Sequence, residues 1–403
     1  MKIIYIYTGL VTKGGADRIL SEKANYLAEH GYEVAFITDT QLGRPPIYPL
    51  SEKVRIIDLA IDFSQEYGHG LLMRAYMYFR LMRQYKKKLK DTLLREKADI
   101  VISTLGRDMD ILTSIHDGSI KIAESHIAKP FVRNFHLMEQ RGFPYRQIAH
   151  YWRHKQERNV SQLKALVLLT QRDADAWSPF VNTEVIPNSL PFEEERISTC
   201  TSKQAICVGR LNEQKGLDYL IDAWELVARL HPDWTLNIYG AGELKEELQQ
   251  RIDSKHLKRK VIINAPTADI KEKYLESSIY LMTSRFEGFP MVLLEAMECG
   301  LPCVAFDCPN GPAEIINHER NGYITPYKDT KTFAAHVCKL IENEKLRCTM
   351  GLQAKKEIKR YKRENIMRLW ESLFYHLINP EQTTTCAQNL QFDDDDDGRN
   401  GNV

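Results

Sequence analysis

The sequence predicts an α/β protein of two domains, each a parallel sheet covered by helices on both faces. Short β-rich apolar runs alternate with helical patterns over residues 2–170, and the alternation starts again over residues 205–306. Between them lies a proline-bearing polar stretch, Val185-Ile186-Pro187-Asn188-Ser189 and then residues 193–202. At 403 residues the chain is also too long for one ordinary core.

Taken in order, residues 2–7 form a strand that ends in Thr8-Gly9. Lys13-Gly14-Gly15 follows, and then a helical pattern over 16–30. Adjacent glycines let backbone amides approach a ligand or simply make a tight turn; without the full G-x-G-x-x-G spacing both readings stand. Residues 33–38 and 54–58 read as strands, with Pro45 and Pro46 in the loop between them. Residues 71–94 carry Leu71, Ala75, Tyr78, Met82, Tyr85, Leu89 and Leu93 at helical spacing. No acidic residue interrupts the stretch from Tyr67 to Lys90, which instead holds Arg74, Arg80, Arg83, Lys86, Lys87, Lys88 and Lys90, with Met73, Tyr76, Met77 and Phe79 off the core face. This is either a crossover helix with a solvated basic face or one that lies on an anionic membrane surface. Nucleic-acid binding is not expected, because no reader motif accompanies the patch.

Residues 99–104, 120–124 and 165–170 continue the first sheet. His126, in Glu124-Ser125-His126, falls directly after a strand, where ligands of parallel sheets sit, although a lone histidine is also compatible with a structural role. Residues 129–158 mix Phe131, Phe135, Phe143, Tyr145, Tyr151 and Trp152 with several arginines, as an acceptor-side surface or a helical lid.

In the second domain, the strand over 205–208 runs into Gly209-Arg210-Leu211-Asn212-Glu213-Gln214-Lys215-Gly216 and a helix over 217–230. Arg210 and Lys215 suit a pyrophosphate; plain surface charges are the alternative. The strand over 234–239 ends in Gly240-Ala241-Gly242-Glu243, a close-approach turn. Strands over 261–263 and 279–283 lead into Ser284-Arg285-Phe286-Glu287-Gly288-Phe289-Pro290 and the apolar run through Met297. Pro290 suits the first helical position, and the amides around Gly288 and Phe289 form a helix N-terminus fit for an anion. Glu295 sits inside the apolar run, so it needs a hydrogen-bond partner or a function. Residues 302–306 are a buried strand, Asn321-Gly322 a turn, and 329–378 helical.

Net charge is +1, but residues 1–190 hold 27 Lys and Arg against 21 Asp and Glu, so the first half is the basic one. The acidic excess of the rest is mostly Asp393 to Asp397, in a polar tail whose composition predicts disorder. All eight cysteines lie from Cys200 onward without C-x-x-C spacing, which supports neither a disulfide framework nor a zinc site. The opening apolar run is too short for a signal peptide and no run approaches the roughly 20 residues of a membrane span, so a cytoplasmic protein is expected.

Gly14-Gly15, Val208-Gly209-Arg210-Leu211 with Lys215-Gly216, Gly240-Ala241-Gly242-Glu243, and Glu287-Gly288-Phe289-Pro290 through Glu295 together resemble the family 4 retaining glycosyltransferases. The segment from Asp307 to Ile316 looks like the subset that builds bacterial surface polysaccharides and lipopolysaccharides. The resemblance implies two Rossmann-like domains facing a cleft, the GT-B arrangement: 1–190 on the acceptor side, 203–362 binding the nucleotide sugar, a helix over 363–379 crossing back to the first domain, and an acidic tail over 380–403. It implies that Glu287 and His126 are the catalytic pair, meeting the donor sugar from opposite domains. Gly14, Gly15, Arg210, Lys215, Gly288, Phe289, Met291, Val292 and Glu295 would bind the donor: Arg210 and Lys215 the pyrophosphate, the Gly288 to Val292 amides sugar hydroxyls and phosphate, Glu295 the ribose.

The implied activity is transfer of a hexose or N-acetylhexosamine from a nucleotide sugar, UDP-linked, to a lipid-linked or growing glycan, at the inner face of the cell membrane, with no metal and no other cofactor. Asp108-Met109-Asp110 and Asp173-Ala174-Asp175 match the Asp-x-Asp string of metal-dependent transferases, but each opens a predicted helix, where acidic residues are ordinary. The alternatives are another GT-B enzyme, such as a sugar-nucleotide epimerase or a phosphorylase, or a non-catalytic sugar-nucleotide-binding protein.

Overall fold

The computed structural model describes residues 1–12, 14–66 and 70–380. Lys13, Tyr67 and the tail with Asp393 to Asp397 lie outside the described residues. The first sheet contains β1 (Lys2–Tyr7), β2 (Glu33–Thr38), β3 (Arg55–Asp58), β4 (Ile100–Ser103), β5 (Ile120–Glu124), β6 (Ala165–Leu168) and β7 (Thr183–Val185). Its order is β3-β2-β1-β4-β5-β6-β7, and every pair is parallel. It is covered by α1 (Gly15–Glu29), α2 (Leu71–Glu96), α3 (Phe135–Glu139), α4 (Tyr145–Val160) and α5 (Gln171–Trp177).

The second sheet repeats the plan with β8 (Gln204–Val208), β9 (Thr235–Tyr239), β10 (Val261–Asn264), β11 (Ile279–Met282), β12 (Cys303–Phe306) and β13 (Gly322–Thr325), in the order β10-β9-β8-β11-β12-β13. Its helices are α6 (Leu217–Leu230), α7 (Lys245–Ser254), α8 (Ile270–Leu275), α9 (Met291–Glu298), α10 (Pro312–Ile315), α11 (Thr330–Glu342) and α12 (Glu344–Ile358), before α13 (Arg363–Ile378). The fold is therefore two Rossmann-like domains, as expected.

The strands form where apolar runs are short and continuous because both faces of a parallel sheet are covered: β4, β6, β11 and β12 are buried at every residue. The sequence missed β7 and β13. Both are edge strands of three and four residues; β7 is only half-buried, and β13 starts on the glycine read as a turn. Strand order reverses between β1 and β4 and again between β8 and β11, and at such switch points the loops leaving the strand ends splay apart and leave a crevice.

Helix α13 crosses to the first domain. Its buried residues Ile366, Met367, Trp370, Leu373, Phe374 and Leu377 fall on one face. Phe374 packs near Tyr32, and the Lys23 ammonium sits 3.9 Å from the centre of the Trp370 ring. The linker before β8 is fastened by buried Arg347, which donates to the carbonyls of Cys200 and Leu340 at 2.7 and 2.6 Å. The seven described cysteines are unbridged and six are buried; Cys386 lies outside the described residues.

Helix α2 buries Leu81, Tyr85, Leu89 and Leu93, and leaves Met73, Tyr76 and Phe79 more than half exposed. Of the basic residues on this helix, Lys88 is tied down, because its ammonium donates to the carbonyl of Leu59 at 2.6 Å. The side chains of Leu71 and Ala75 lie outside the described residues. Among the described residues no helix is long and apolar enough to cross a membrane.

Because Trp370 belongs to the buried face of α13, Trp370→Ala is expected to cost about 3 kcal/mol and to lower the denaturant midpoint followed by circular dichroism. Arg368→Ala, at an exposed position of the same helix, serves as the control that leaves it unchanged.

Candidate active site

The loops after β8 and β11, which flank the second switch point, are stitched together. Gly216 adopts φ +57°, and a Cβ there would stand 2.2 Å from the carbonyl oxygen of Thr283. The Thr283 hydroxyl donates to the Gly216 carbonyl at 2.9 Å. Gln214 donates through Nε2 to the Phe286 carbonyl at 3.1 Å and accepts from the Arg285 amide at 2.7 Å. Arg285 forks onto both carboxylate oxygens of Asp218 at 3.0 and 2.9 Å. None of Thr283, Gln214, Arg285 or Asp218 was singled out from the sequence for this role.

On this frame the Lys215 stem lies across Gly209, and its ammonium pairs with Oε1 of Glu287 at 2.7 Å. Glu287 is 6% exposed. Arg210 is exposed, with Nη2 3.5 Å from Oε1 of Gln214. The turn at Gly240 and Gly242, read from the sequence as a close approach, is one, but to protein: a Cβ at either would collide with the carbonyl of Gly209 or Leu211. It buttresses the loop that carries Arg210.

Pro290 is the residue that caps α9 rather than its first helical residue, which is Met291. Phe289 is buried against the Tyr361 ring at 5.6 Å, so it serves packing as well as the loop. Met291 and Val292 are half-buried in the first turn. Glu295 lies a turn deeper, where its Oε2 accepts from the Tyr274 hydroxyl at 2.8 Å, and burial pushes its carboxyl up from the usual range. The two carboxylates thus have separate partners, Lys215 and Tyr274.

The first domain meets this loop directly. A Cβ at Gly288 would stand 2.4 Å from the carbonyl oxygen of His126, so the two backbones touch across the crevice. Beside them the rings of Phe131 and Phe286 stack at 3.8 Å with planes 13° apart. Arg172 of α5 reaches Oδ1 of Asp307 at 3.2 Å, and its amide donates to Oε1 of Glu314 at 3.3 Å.

Helix α1 begins at Gly15 with no side-chain cap, and a Cβ on Gly15 would meet nothing within 4 Å among the described residues, so packing against them does not require that glycine. The loop before it is held by Asp17, which accepts from the Tyr7 hydroxyl at 2.7 Å and from the Thr12 amide and hydroxyl at 2.9 Å each.

Beneath His126 the buried Glu124 is gripped by buried Lys23. Burial pushes the Glu124 carboxyl up, but Lys23 and His126 outweigh it and hold it down at about 2. Elsewhere on the rim Asp39 and Asp108 are buried, and burial pushes each carboxyl up to about 6. Asp108 and Asp110 open a 3-10 turn rather than a helix, and Asp110 is taken up by Arg133 at 3.2 Å. Asp173 accepts from the Lys129 amide at 2.9 Å. Among the described residues no group of three or more His, Cys, Asp or Glu could hold a metal ion. Sequence reasoning missed Asp17 and Lys23 because each reads as an ordinary helix residue. A hydroxyl-rich loop facing a first-turn aspartate was the available signal for Asp17.

Residues 193–357 match the family model described as Glycosyl transferases group 1. Along nearly its whole length the chain is 29% identical over 389 residues to the amylovoran biosynthesis glycosyltransferase AmsD of Erwinia amylovora, covering 92% of this chain and 99% of that protein. The crystal structure of a variant of S. aureus TarM in complex with fondaparinux, alpha-GlcNAc-glycerol and UDP superposes with a TM-score of 0.71 at 17% identity, over 93% of this chain and 99% of that one. Anabaena HepE in complex with UDP gives 0.69 at 19% identity, over 93% and 100%. These likenesses establish the GT-B fold.

Gly288→Ala is expected to drive the His126 carbonyl off the loop, raising the radius of gyration measured by small-angle X-ray scattering and lowering Tm. An unchanged radius would place no constraint at this contact. For Asp39 and Asp108 the folded value, about 6, lies above the unfolded one near 3.8. Their contribution to stability is therefore present below about pH 4 and lost as pH rises through 6. Asp108→Asn should raise Tm relative to the parent at pH 8, by an amount that shrinks as pH falls through 6 and vanishes only below about pH 4.

Proposed function

We propose that this chain, whose second domain matches the glycosyltransferase group 1 model, is a retaining glycosyltransferase of bacterial cell-surface polysaccharide synthesis. It moves a hexose or N-acetylhexosamine from a UDP-sugar to a lipid-linked or growing glycan. The observation that carries this reading is the Lys215–Glu287 pair at the N-terminus of α9, with Arg210 on the adjoining loop and His126 facing it from the other domain. The names of the relatives support the substrate class: AmsD serves amylovoran biosynthesis, and a lipopolysaccharide 1,6-galactosyltransferase of Salmonella typhimurium is 34% identical over 141 residues.

Breaking the bond between sugar and phosphate develops positive charge at the anomeric carbon and negative charge on the leaving diphosphate. Arg210, Lys215 and the amides from Gly288 to Val292 stabilise the leaving group. Glu287 contacts the sugar beside the reacting carbon, and the Lys215 ammonium shared between Glu287 and the diphosphate keeps both in register. Glu295 takes the ribose hydroxyls, and Gly14 and Gly15 let the α1 amides line the cleft. The acceptor hydroxyl attacks from the face the diphosphate leaves, whose oxygen takes its proton, so configuration is retained without a metal or a protein nucleophile.

The first domain supplies the acceptor side. Its α2 carries Arg83, Lys86 and Lys87 beside exposed Tyr76 and Phe79, and rests on an anionic membrane surface at the inner face of the cell membrane.

Lys215→Ala and Glu287→Gln should each lower turnover about 100-fold, measured as UDP release from a panel of UDP-sugars with acceptor, while Arg210→Ala raises the KM for donor. Full transfer by all three variants would end this assignment. Nucleotide release without an acceptor-linked product would favour an epimerase-type or phosphorylase-type enzyme, and no release a binding protein. Co-sedimentation with vesicles containing anionic phospholipid should fall when Arg83, Lys86 and Lys87 are changed to Glu; equal binding would leave α2 a crossover helix.

A further inference from the structure

Two enclosed polar atoms beneath the crevice face each other with no hydrogen-bond partner among the described residues: Nε2 of His126 and Oε1 of Glu124, 3.6 Å apart. That separation is too long for a hydrogen bond, but a shift of well under 1 Å makes one, and such contacts commonly tighten when substrate binds. The other oxygen of Glu124, Oε2, is held by Lys23.

Glu124 is 3% exposed and Lys23 6%. The Lys23 ammonium lies over the Trp370 ring of α13 at 3.9 Å and 5.2 Å from the centre of the Tyr5 ring. A buried ion pair is a poor stabiliser, since well-packed apolar residues of the same volume often do as well or better. The place of this one supplies a use. Glu124 ends β5, two residues before His126, and the His126 carbonyl touches Gly288, next to Glu287.

We infer that Glu124 is a positioning residue for His126, with Lys23 fixing the carboxylate and Trp370 fixing Lys23; the inference rests on the proposed reading that His126 faces the donor sugar. An ionised carboxylate only accepts hydrogen bonds, so it takes the proton of an Nε2–H imidazole. The lone pair of the neutral ring then lies on Nδ1, which accepts from a hydroxyl of the sugar. Helix α13 thereby connects to the crevice through three side chains, from Trp370 to Lys23 to Glu124. It does more than tie the domains together.

The test uses the full chain labelled with 15N-histidine, with the His126 tautomer read from two-bond nitrogen–proton correlations and transfer measured on the same samples. The parent should show Nε2–H. Glu124→Gln should shift His126 toward Nδ1–H and lower kcat about 10- to 100-fold, with Tm within a few degrees of the parent. Lys23→Arg should keep the parent tautomer. If Glu124→Gln unfolds the protein, Glu124→Asp withdraws the same carboxylate by one methylene and should lower the Nε2–H population and kcat together. An unaltered tautomer in the Gln variant, or in the Asp variant where Gln does not fold, overturns the inference. A switched tautomer with unaltered transfer instead removes His126 from the proposed function.

Discussion

The structure is organised around a carboxylate that has been taken out of water beside a cation. Glu287 is buried in the loop between β11 and α9 and meets Lys215 at 2.7 Å, and the two residues come from loops 72 positions apart in the chain. Such a pair holds only if the backbone delivers both groups accurately, because a carboxylate left buried and unpaired would be costly. The rest of the second domain does that delivery. Gly216 lets its backbone rest on Thr283, the Gly240 turn braces the Gly209 loop from behind, and Arg285 pins both loops to α6 through Asp218.

The crevice has a second wall because the domains touch through backbone as well as through side chains. Gly288 admits the His126 carbonyl, Phe131 stacks on Phe286, and Arg172 reaches Asp307. Helix α13 returns the chain to the first domain and places Trp370 over Lys23, so the last described helix of the second half of the sequence completes the core of the first. Charge follows the same division. In the first domain the exposed Arg83, Lys86 and Lys87 lie along α2, whereas the second domain concentrates Arg210 and Lys215 where the strand order reverses.

Both sheets, the linker, the helix over 217–230 and the loop from Ser284 to Met297 were legible in the sequence, because continuous apolar runs, prolines and glycines report local preferences that burial then reinforces. The edge strands β7 and β13 were not, since a strand with one neighbour and few residues carries little pattern. Arg210, Lys215, Glu287 and Glu295 stood out as charges in unusual places. Buried partners did not: Tyr274 for Glu295 and Lys23 for Glu124 come from elsewhere in the chain.

By itself, then, the sequence determined the two-domain α/β plan and the stretches that would border a cleft. Periodicity and turn chemistry are properties of neighbouring residues. Only the tertiary structure decided which charges pair, that Gly240 and Gly242 approach protein, that Pro290 caps its helix, and that Lys88 is tied to Leu59 while other basic residues of α2 stay outward. Pairing of buried charges and contact between backbones depend on distances between segments far apart in the chain, and no local pattern encodes them.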